Sequence, residues 1–289
     1  GAVAGTAYLV AQKLLLKLKT LAAKNMNINI EDIVFEKDIV FSKNNPDNKI
    51  TLTRLAGSSH WSPDTIPDKM TPPLRETLFW SMPQHKAPND KDEINSSGAY
   101  GFIFDYCGIE IDQDTGKVII DKYVTTHDAG NLLHPEMVNG QIQGAFAQAI
   151  GASFYEELKY ADNGAFLSGT FADYLVPTAN EIPDTCILHI NTPSPFTPLG
   201  SKGVGEGNSM STPVCIANAI SDAIGQDEII LPMTPPKLLS LISENEDLPK
   251  KLNLELKNEE KLIPRKKIQD KADNNLWIYI KNKLRNIVL

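Results

Sequence analysis

Apolar residues recur at three- and four-residue steps in some stretches of the chain and alternate with polar ones in others, and the two periods predict an α+β fold of mixed helices and β-sheets. From Gly1 to about Lys24, Val3, Ala7, Val10, Ala11, Leu14, Leu18 and Leu21 form one face of a helix, with lysines on the other side. This helix begins abruptly, with no Met and no capping residue, which reads as a fragment, a processed chain or a split gene product. Two β-like runs, Ile33-Val34-Phe35 and Ile39-Val40-Phe41, flank Glu36-Lys37-Asp38, and Ile50 to Leu55 offers a third strand. Between Gly57 and Ser97, Pro, Asp, Ser and Asn dominate, and only Leu74 to Trp80 interrupts them with apolar residues. This segment reads as a long loop draped over a surface.

The second half is more regular. Tyr100 to Asp112 and Lys117 to Thr126 read as a hairpin turning at Asp114-Thr115-Gly116. A turn-rich connection, Thr126 to Pro135, leads into a helix that runs to about Leu158, with Pro135 in its first turn. Gly140, Gly144, Ala147 and Gly151 step along that helix, where small residues admit another backbone or a ligand; tight helix packing is the plainer reading. Gln141 stands among them, and a buried amide there needs hydrogen-bond partners. Phe166 to Pro177 reads as extended, Cys186 to Ile190 as a strand, Ser209 to Ile224 as an apolar helix stopped by Gly225, and Ile229 to Leu231 as an extended piece before a short helix at Lys237 to Ile242. Residues 1–242 thus form the structured part, in one or two subdomains. Residues 243–289 are a Lys/Asn/Glu-rich tail, helical or partly disordered.

Charge separates these two regions. The tail carries eleven Lys and Arg against eight Asp and Glu, a charge of +3, so the formal −8 of the chain leaves −11 on the first 242 residues. That balance argues against nucleic acid as a partner, which calls for clustered positive charge. No run of some 18 apolar residues is present to span a membrane and no secretory signal pattern opens the chain, so the cytoplasm is the expected location. Cys107, Cys186 and Cys215 are too far apart in sequence for an iron–sulfur cluster or a structural zinc site, and read as buried, reduced thiols. The five histidines show no H-E-x-x-H or comparable spacing, so no metal site is assigned to side chains of this chain.

The stretch with the most chemistry is Pro198 to Gly207, Pro-Leu-Gly-Ser-Lys-Gly-Val-Gly-Glu-Gly. Gly200, Gly203, Gly205 and Gly207 let the backbone turn sharply and approach a bound group, and they surround one carboxylate, Glu206, just before an apolar helix. Such a loop either presents Glu206 for proton transfer or merely leaves it in a first turn, where the helix dipole favours it. Phosphate-loop spacings fail: Lys202 is followed by Gly203 rather than Ser or Thr, and Gly203-Val204-Gly205-Glu206-Gly207 is one residue short of G-x-G-x-x-G.

Several stretches together resemble the C-terminal part of the large subunit of molybdenum hydroxylases, the xanthine dehydrogenase and aldehyde oxidoreductase family, and within it the aerobic carbon monoxide dehydrogenase type. They are Val118 to Gly130, ending in Asp128-Ala129-Gly130; Gly140 to Gly151; Glu156-Glu157; Gly169 to Tyr174; and Gly200 to Glu206. The resemblance covers roughly Gly1 to Ser240. It implies that Glu206 is the active-site base beside molybdenum, that Gln141 hydrogen-bonds the pterin, and that Ser201, Lys202, Gly203 and Gly205 line the cofactor. It also implies a molybdenum–molybdopterin cofactor in its cytosine dinucleotide form.

The partners it implies are the upstream part of the large subunit, a FAD-binding medium subunit and an iron–sulfur small subunit with 2Fe–2S clusters, together with a small-molecule substrate: carbon monoxide, an aldehyde or an N-heterocycle. His134-Pro135 stands where many relatives have Asn-Pro. The family's large subunit is roughly three times as long, so this chain encodes one side of the expected site and is not expected to hold the cofactor alone. The alternative is a truncated remnant that keeps the motifs as inherited shape and acts as a structural or assembly module.

Overall fold

The structure, a computed structural model, describes residues 1–68, 70 and 74–244, all within one compact unit. The tail expected over 243–289 falls outside the described residues apart from its first two. Helix α1 spans Ala2–Met26 and stops at Asn27, whose left-handed backbone (φ 54°, ψ 50°) lets the Ile28 N–H reach back to the Ala23 carbonyl at 3.1 Å. Strands β1 (Ile33–Glu36), β2 (Ile39–Ser42) and β3 (Asn45–Thr51) then form an antiparallel sheet in that order. Leu21 and Ala22 of α1 close over it with Ile33, Val40 and Leu55 as a buried cluster. Each fully buried aliphatic side chain of this kind contributes about 2 kcal/mol.

Here the structure departs from the sequence reading. Leu52–Trp61 is a helix, α2, with Thr51 as its N-cap accepting from the Arg54 N–H at 3.3 Å, so the expected third strand ends at Thr51 and the expected loop starts later. The cap decides the boundary: a Thr followed by residues with no strand alternation starts a helix more readily than it extends a β-run. Beyond α2 the loop lies along α1, tied by a Lys17–Glu76 ion pair of 2.7 Å and by Lys24 Nζ donating to the Ile66 carbonyl.

The second sheet carries the site. Strands β4 (Phe102–Ile111) and β5 (Val118–Asp128) form the expected hairpin, and β6 (Thr185–Ile190) pairs parallel to β5 after a crossover that contains α3 (Pro135–Phe154). Helix α4 (Gly207–Ile224) packs on β4 and on α3, and α5 spans Pro235–Glu244. Tyr123 of β5 stacks against Phe146 of α3 with ring centroids 4.5 Å apart, and Ile142, Ile150, Ile216, Ile220 and Ile224 are buried on the two helices. Phe166 to Pro177 forms no strand, with an isolated bridge from Phe166 to Tyr160 and a turn at Phe171 to Asp173, and Ile229 to Leu231 forms no strand either. None of the three cysteines is in a disulfide, and each is half-buried rather than fully buried. Among the described residues no helix is long and apolar enough to cross a membrane.

Candidate functional site

The glycine-rich loop sits on the end of β5. Gly130 (φ +63°) and Gly200 (φ +71°) both occupy left-handed backbone that a side chain would strain, and Ser201 bridges to Gly130 across the two segments. The Asn131 N–H and the Ser194 N–H both donate to the Gly200 carbonyl, at 3.1 and 2.9 Å, and the Lys202 N–H donates to the Ala129 carbonyl at 2.8 Å. Neither Gly130 nor Gly200 tolerates a Cβ: at Gly130 it would meet the Gly200 carbonyl oxygen, and at Gly200 it would lie 2.7 Å from Asn131 Nδ2. The first turns of α1 reach the same loop, since a Cβ on Gly5 would lie 2.9 Å from the Pro198 ring.

A buried ion pair fastens the loop from behind. Lys202 Nζ lies 2.9 Å from Asp128 Oδ2 and donates to Thr192 Oγ1 at 2.7 Å, and it stands 5.8 Å from the centre of the Phe102 ring. Asp128 also accepts from the Thr192 hydroxyl and from the N–H groups of Gly130 (3.0 Å) and Thr192 (3.2 Å). Burial alone would raise its pKa, but the Thr192 hydroxyl, the Lys202 ammonium and the two N–H donors outweigh burial and hold the carboxyl well below the usual carboxylate range. The amine of Lys202, a residue that the resemblance places in the loop around the cofactor, is thus committed to Asp128 and Thr192.

A second buried network holds the start of α4. Asn208 is fully buried; its Nδ2 donates to Thr125 Oγ1 (3.1 Å) and Thr212 Oγ1 (3.2 Å), so its Oδ1 is the acceptor for His127 Nε2 at 2.7 Å. Burial lowers the pKa of His127, and the neutral ring carries its proton on Nε2 to meet that oxygen. Tyr123 completes the network by donating to Thr212 Oγ1 at 2.8 Å. Because Asn208 is the second residue of α4, these bonds fix the position of the residue two before it, Glu206.

Glu206 is exposed, is the N-cap of α4 without capping it through its side chain, and adopts φ −101°, ψ 5°, a sparsely populated backbone region where active-site residues often sit. Gln141 Nε2 donates to the Gly205 carbonyl at 2.9 Å, which brings together two of the residues that the resemblance places in one site, 64 positions apart and next to Glu206. Gln148 lies two turns further along α3, with Ser209 Oγ donating to its Oε1 at 3.3 Å.

In front of this line the surface is open. Gly203 and Gly205 of the loop, and Gly140 and Gly144 of α3, have nothing within 4 Å of the place a Cβ would occupy apart from the local backbone. Among the described residues the packing reading of the α3 glycines finds no neighbour at Gly140 and Gly144, whereas at Gly151 a Cβ would meet Glu156 and Pro177. Among the described residues the N–H groups of Gly203, Val204, Gly205 and Glu206 donate to no acceptor, and the buried Ser201 Oγ has no partner. Successive unused N–H groups ahead of a helix N-terminus suit an oxyanion or other acceptor-rich group.

The residues that sequence reasoning missed are Asp128, Thr192, His127 and Asn208. Asp128 was visible in Asp128-Ala129-Gly130, but its pairing with Lys202 spans 74 residues and had no local signal. A pocket of about 290 Å³ lies elsewhere, at the turn of the first sheet near Lys37, Phe41 and Lys49, and holds none of the residues singled out from sequence.

A family model described as a molybdopterin cofactor-binding domain matches residues 2–183. The chain is 31% identical over 242 residues to the nicotine 6-hydroxylase large subunit of Paenarthrobacter nicotinovorans, covering 83% of this chain and 28% of that one. It is 30% identical over 221 residues to the carbon monoxide dehydrogenase large chain of Afipia carboxidovorans, covering 76% and 25%. Among solved structures, the Cu,Mo-containing CO dehydrogenase superposes with a TM-score of 0.69 at 26% identity over 84% of this chain and 29% of that one. Quinoline 2-oxidoreductase of Pseudomonas putida 86 gives 0.63 at 28% identity over 81% and 29%. The chain spans under a third of the length of these relatives.

Proposed function

The chain belongs to the molybdopterin cofactor-binding domain family, and from that premise we propose that residues 1–242 are the C-terminal portion of the cofactor-binding region of a molybdenum hydroxylase large subunit. The enzyme oxidises a small substrate, carbon monoxide, an aldehyde or an N-heterocycle, and the incorporated oxygen comes from water. The observation that carries this reading is the open glycine front beside Gln141 and Glu206, since no part of the described chain needs those glycines to be bare.

The residues present fit a pterin cofactor. The free N–H groups of Gly203, Val204 and Gly205 and the unpartnered Ser201 hydroxyl offer hydrogen bonds to an acceptor-rich ligand, and Gln141 keeps its Oε1 for a donor while its Nε2 holds the loop. Lys202 serves through its backbone and through its grip on Asp128, not as a counter-charge. When bound, the molybdenum cofactor supplies a two-electron acceptor and an oxygen delivered from water. Glu206 then acts as the base that takes a proton at its carboxylate, a role worth about 10²- to 10⁴-fold in rate for a positioned acid–base group. The His127–Asn208 network keeps that carboxylate from drifting with its helix.

The cofactor is proposed in its cytosine dinucleotide form. FAD and 2Fe–2S clusters reside on a medium and a small partner subunit, and the upstream part of the large subunit supplies the facing wall of the site. A non-catalytic remnant would have no need to keep the glycine front beside Gln141 and Glu206 bare. The test is Glu206→Gln in the assembled enzyme: molybdenum content should stay at the wild-type level while turnover falls about a hundredfold or more. Unchanged turnover would sink the assignment.

A further inference from the structure

Two of the three cysteines meet at the seam between β4 and α4. Helix α4 runs along β4 from its start: a Cβ on Gly207 would meet Ile103 Cδ1 and lie 3.3 Å from His127 Cε1, and Ile103 is the register partner of His127. Further on, Asn208 reaches Thr125 and Thr212 reaches Tyr123, whose register partner on β4 is Cys107. From Gly207 to Cys215 the helix advances about 12 Å, and from Ile103 to Cys107 the strand advances about 13 Å. Ile103, Asp105 and Cys107 share one face of β4 by alternation, so Cys215 arrives over Cys107. The two sulfurs are in hydrogen-bond contact, the Cys107 thiol donating to Cys215. Cys186 is set apart: it pairs in register with Val124, one position off Tyr123, and so points to the opposite face of the sheet.

The contact gives the two sulfurs unequal roles. The Cys107 thiol holds Cys215 below the ordinary thiol value, against burial and the charge of Asp105, whose carboxylate oxygens are buried on the same face; Cys107 itself is pushed up by the same bond and by burial. Cys215 is therefore the readier thiolate, and the thiolate is the form that reacts.

We propose that Cys107 and Cys215 form a reversible disulfide when the protein meets hydrogen peroxide, a staple that fastens α4 to β4. The Cys215 thiolate attacks one peroxide oxygen: an S–O bond forms, the O–O bond breaks, and the departing hydroxide takes up a proton as water. The Cys107 sulfur then attacks the Cys215 sulfenic acid, the S–S bond forms, the S–O bond breaks, and a second water leaves with the Cys107 proton. Two thiols lose two electrons and one peroxide becomes two waters. A partner thiol in contact closes the disulfide before a second peroxide can carry Cys215 to the irreversible sulfinic acid. The staple lies eight residues beyond Gly207, on the helix whose start places Glu206, so oxidation holds that helix down rather than releasing it. The inference depends on the β4–α4 seam alone and stands apart from the family reading.

The experiment treats the assembled enzyme with hydrogen peroxide, blocks remaining thiols with N-ethylmaleimide and maps the peptides by mass spectrometry without reduction. A peptide pair joined through Cys107 and Cys215 is expected, undone by dithiothreitol, with Cys186 blocked. Both thiols blocked after peroxide, a sulfinic acid on either, or a link from either to Cys186 or to a second copy overturns the proposal. Amide exchange over residues 209–224 should slow at least about tenfold in the oxidised enzyme, since a disulfide across so long a loop suppresses local opening; unchanged exchange in an enzyme that carries the link overturns the staple. Cys107→Ser keeps a donor beside Cys215 but cannot close the bond, so peroxide with dimedone should label Cys215. A Cys215 that stays unlabelled there overturns its assignment as the attacking thiolate.

Discussion

Gly130 and Gly203 lie near the same loop and are glycine for opposite reasons. At Gly130 the backbone is left-handed and the Gly200 carbonyl occupies the place of a side chain, so folding itself demands glycine. At Gly203, as at Gly205, Gly140 and Gly144, the space is empty and the backbone is one that any residue adopts. The back of the loop is therefore explained by the chain, and the front has no explanation among the described residues other than the proposed cofactor. The contrast extends to polar groups: behind the loop Asp128 has its full complement of donors, while in front a run of N–H groups waits for acceptors.

Removing the cation is the strongest blow to the back. Lys202→Met leaves Asp128 buried and charged beside a reduced donor set, and chemical denaturation should show a loss of about 4 kcal/mol. Gly130→Ala follows, at about 3 kcal/mol from left-handed strain and the collision with the Gly200 carbonyl. If either variant melts like the wild type, the loop is not anchored from behind.

Acid probes the same side without mutation. His127 is held below its ordinary 6.5, so the unfolded chain takes up a proton first; the stability it contributes is complete above about pH 6.5 and drains away as pH falls towards the folded value. Asp128, held below its ordinary 3.8, adds a second loss that starts only under about pH 4. Denaturant midpoints measured from pH 8 to pH 3 should fall in those two stages, and His127→Gln should flatten the first. The smallest effect is expected at the front. Gly203→Ala should change stability by no more than about 0.5 kcal/mol and yet lower the molybdenum retained per assembled enzyme; full retention would mean that the empty space is not a ligand's.

The helices and the hairpin were legible because their signals are local. Pro135 starts α3, Gly225 ends α4 and Asp112 to Lys117 turns the hairpin, each through backbone chemistry within a few residues. Helix α2 was not, because its apolar face is one buried leucine, Leu55, and its start depends on the Thr51 cap. In the site, Glu206, Gln141 and the loop glycines could be named from type and spacing. What fastens them could not, since Asp128 to Lys202 and His127 to Asn208 join distant segments and depend on the parallel pairing of β5 with β6 and the packing of α4 beneath it.

The pairing of Lys202 with Asp128 has one more consequence, and it concerns time. With the Lys202 ammonium paired to Asp128 inside the protein, that charge puts no long-range attraction on an anionic ligand, which approaches a chain of formal charge −8 against the field. Encounter is then unassisted by steering, and occupancy is governed by departure: each unused N–H that the ligand satisfies lengthens its stay.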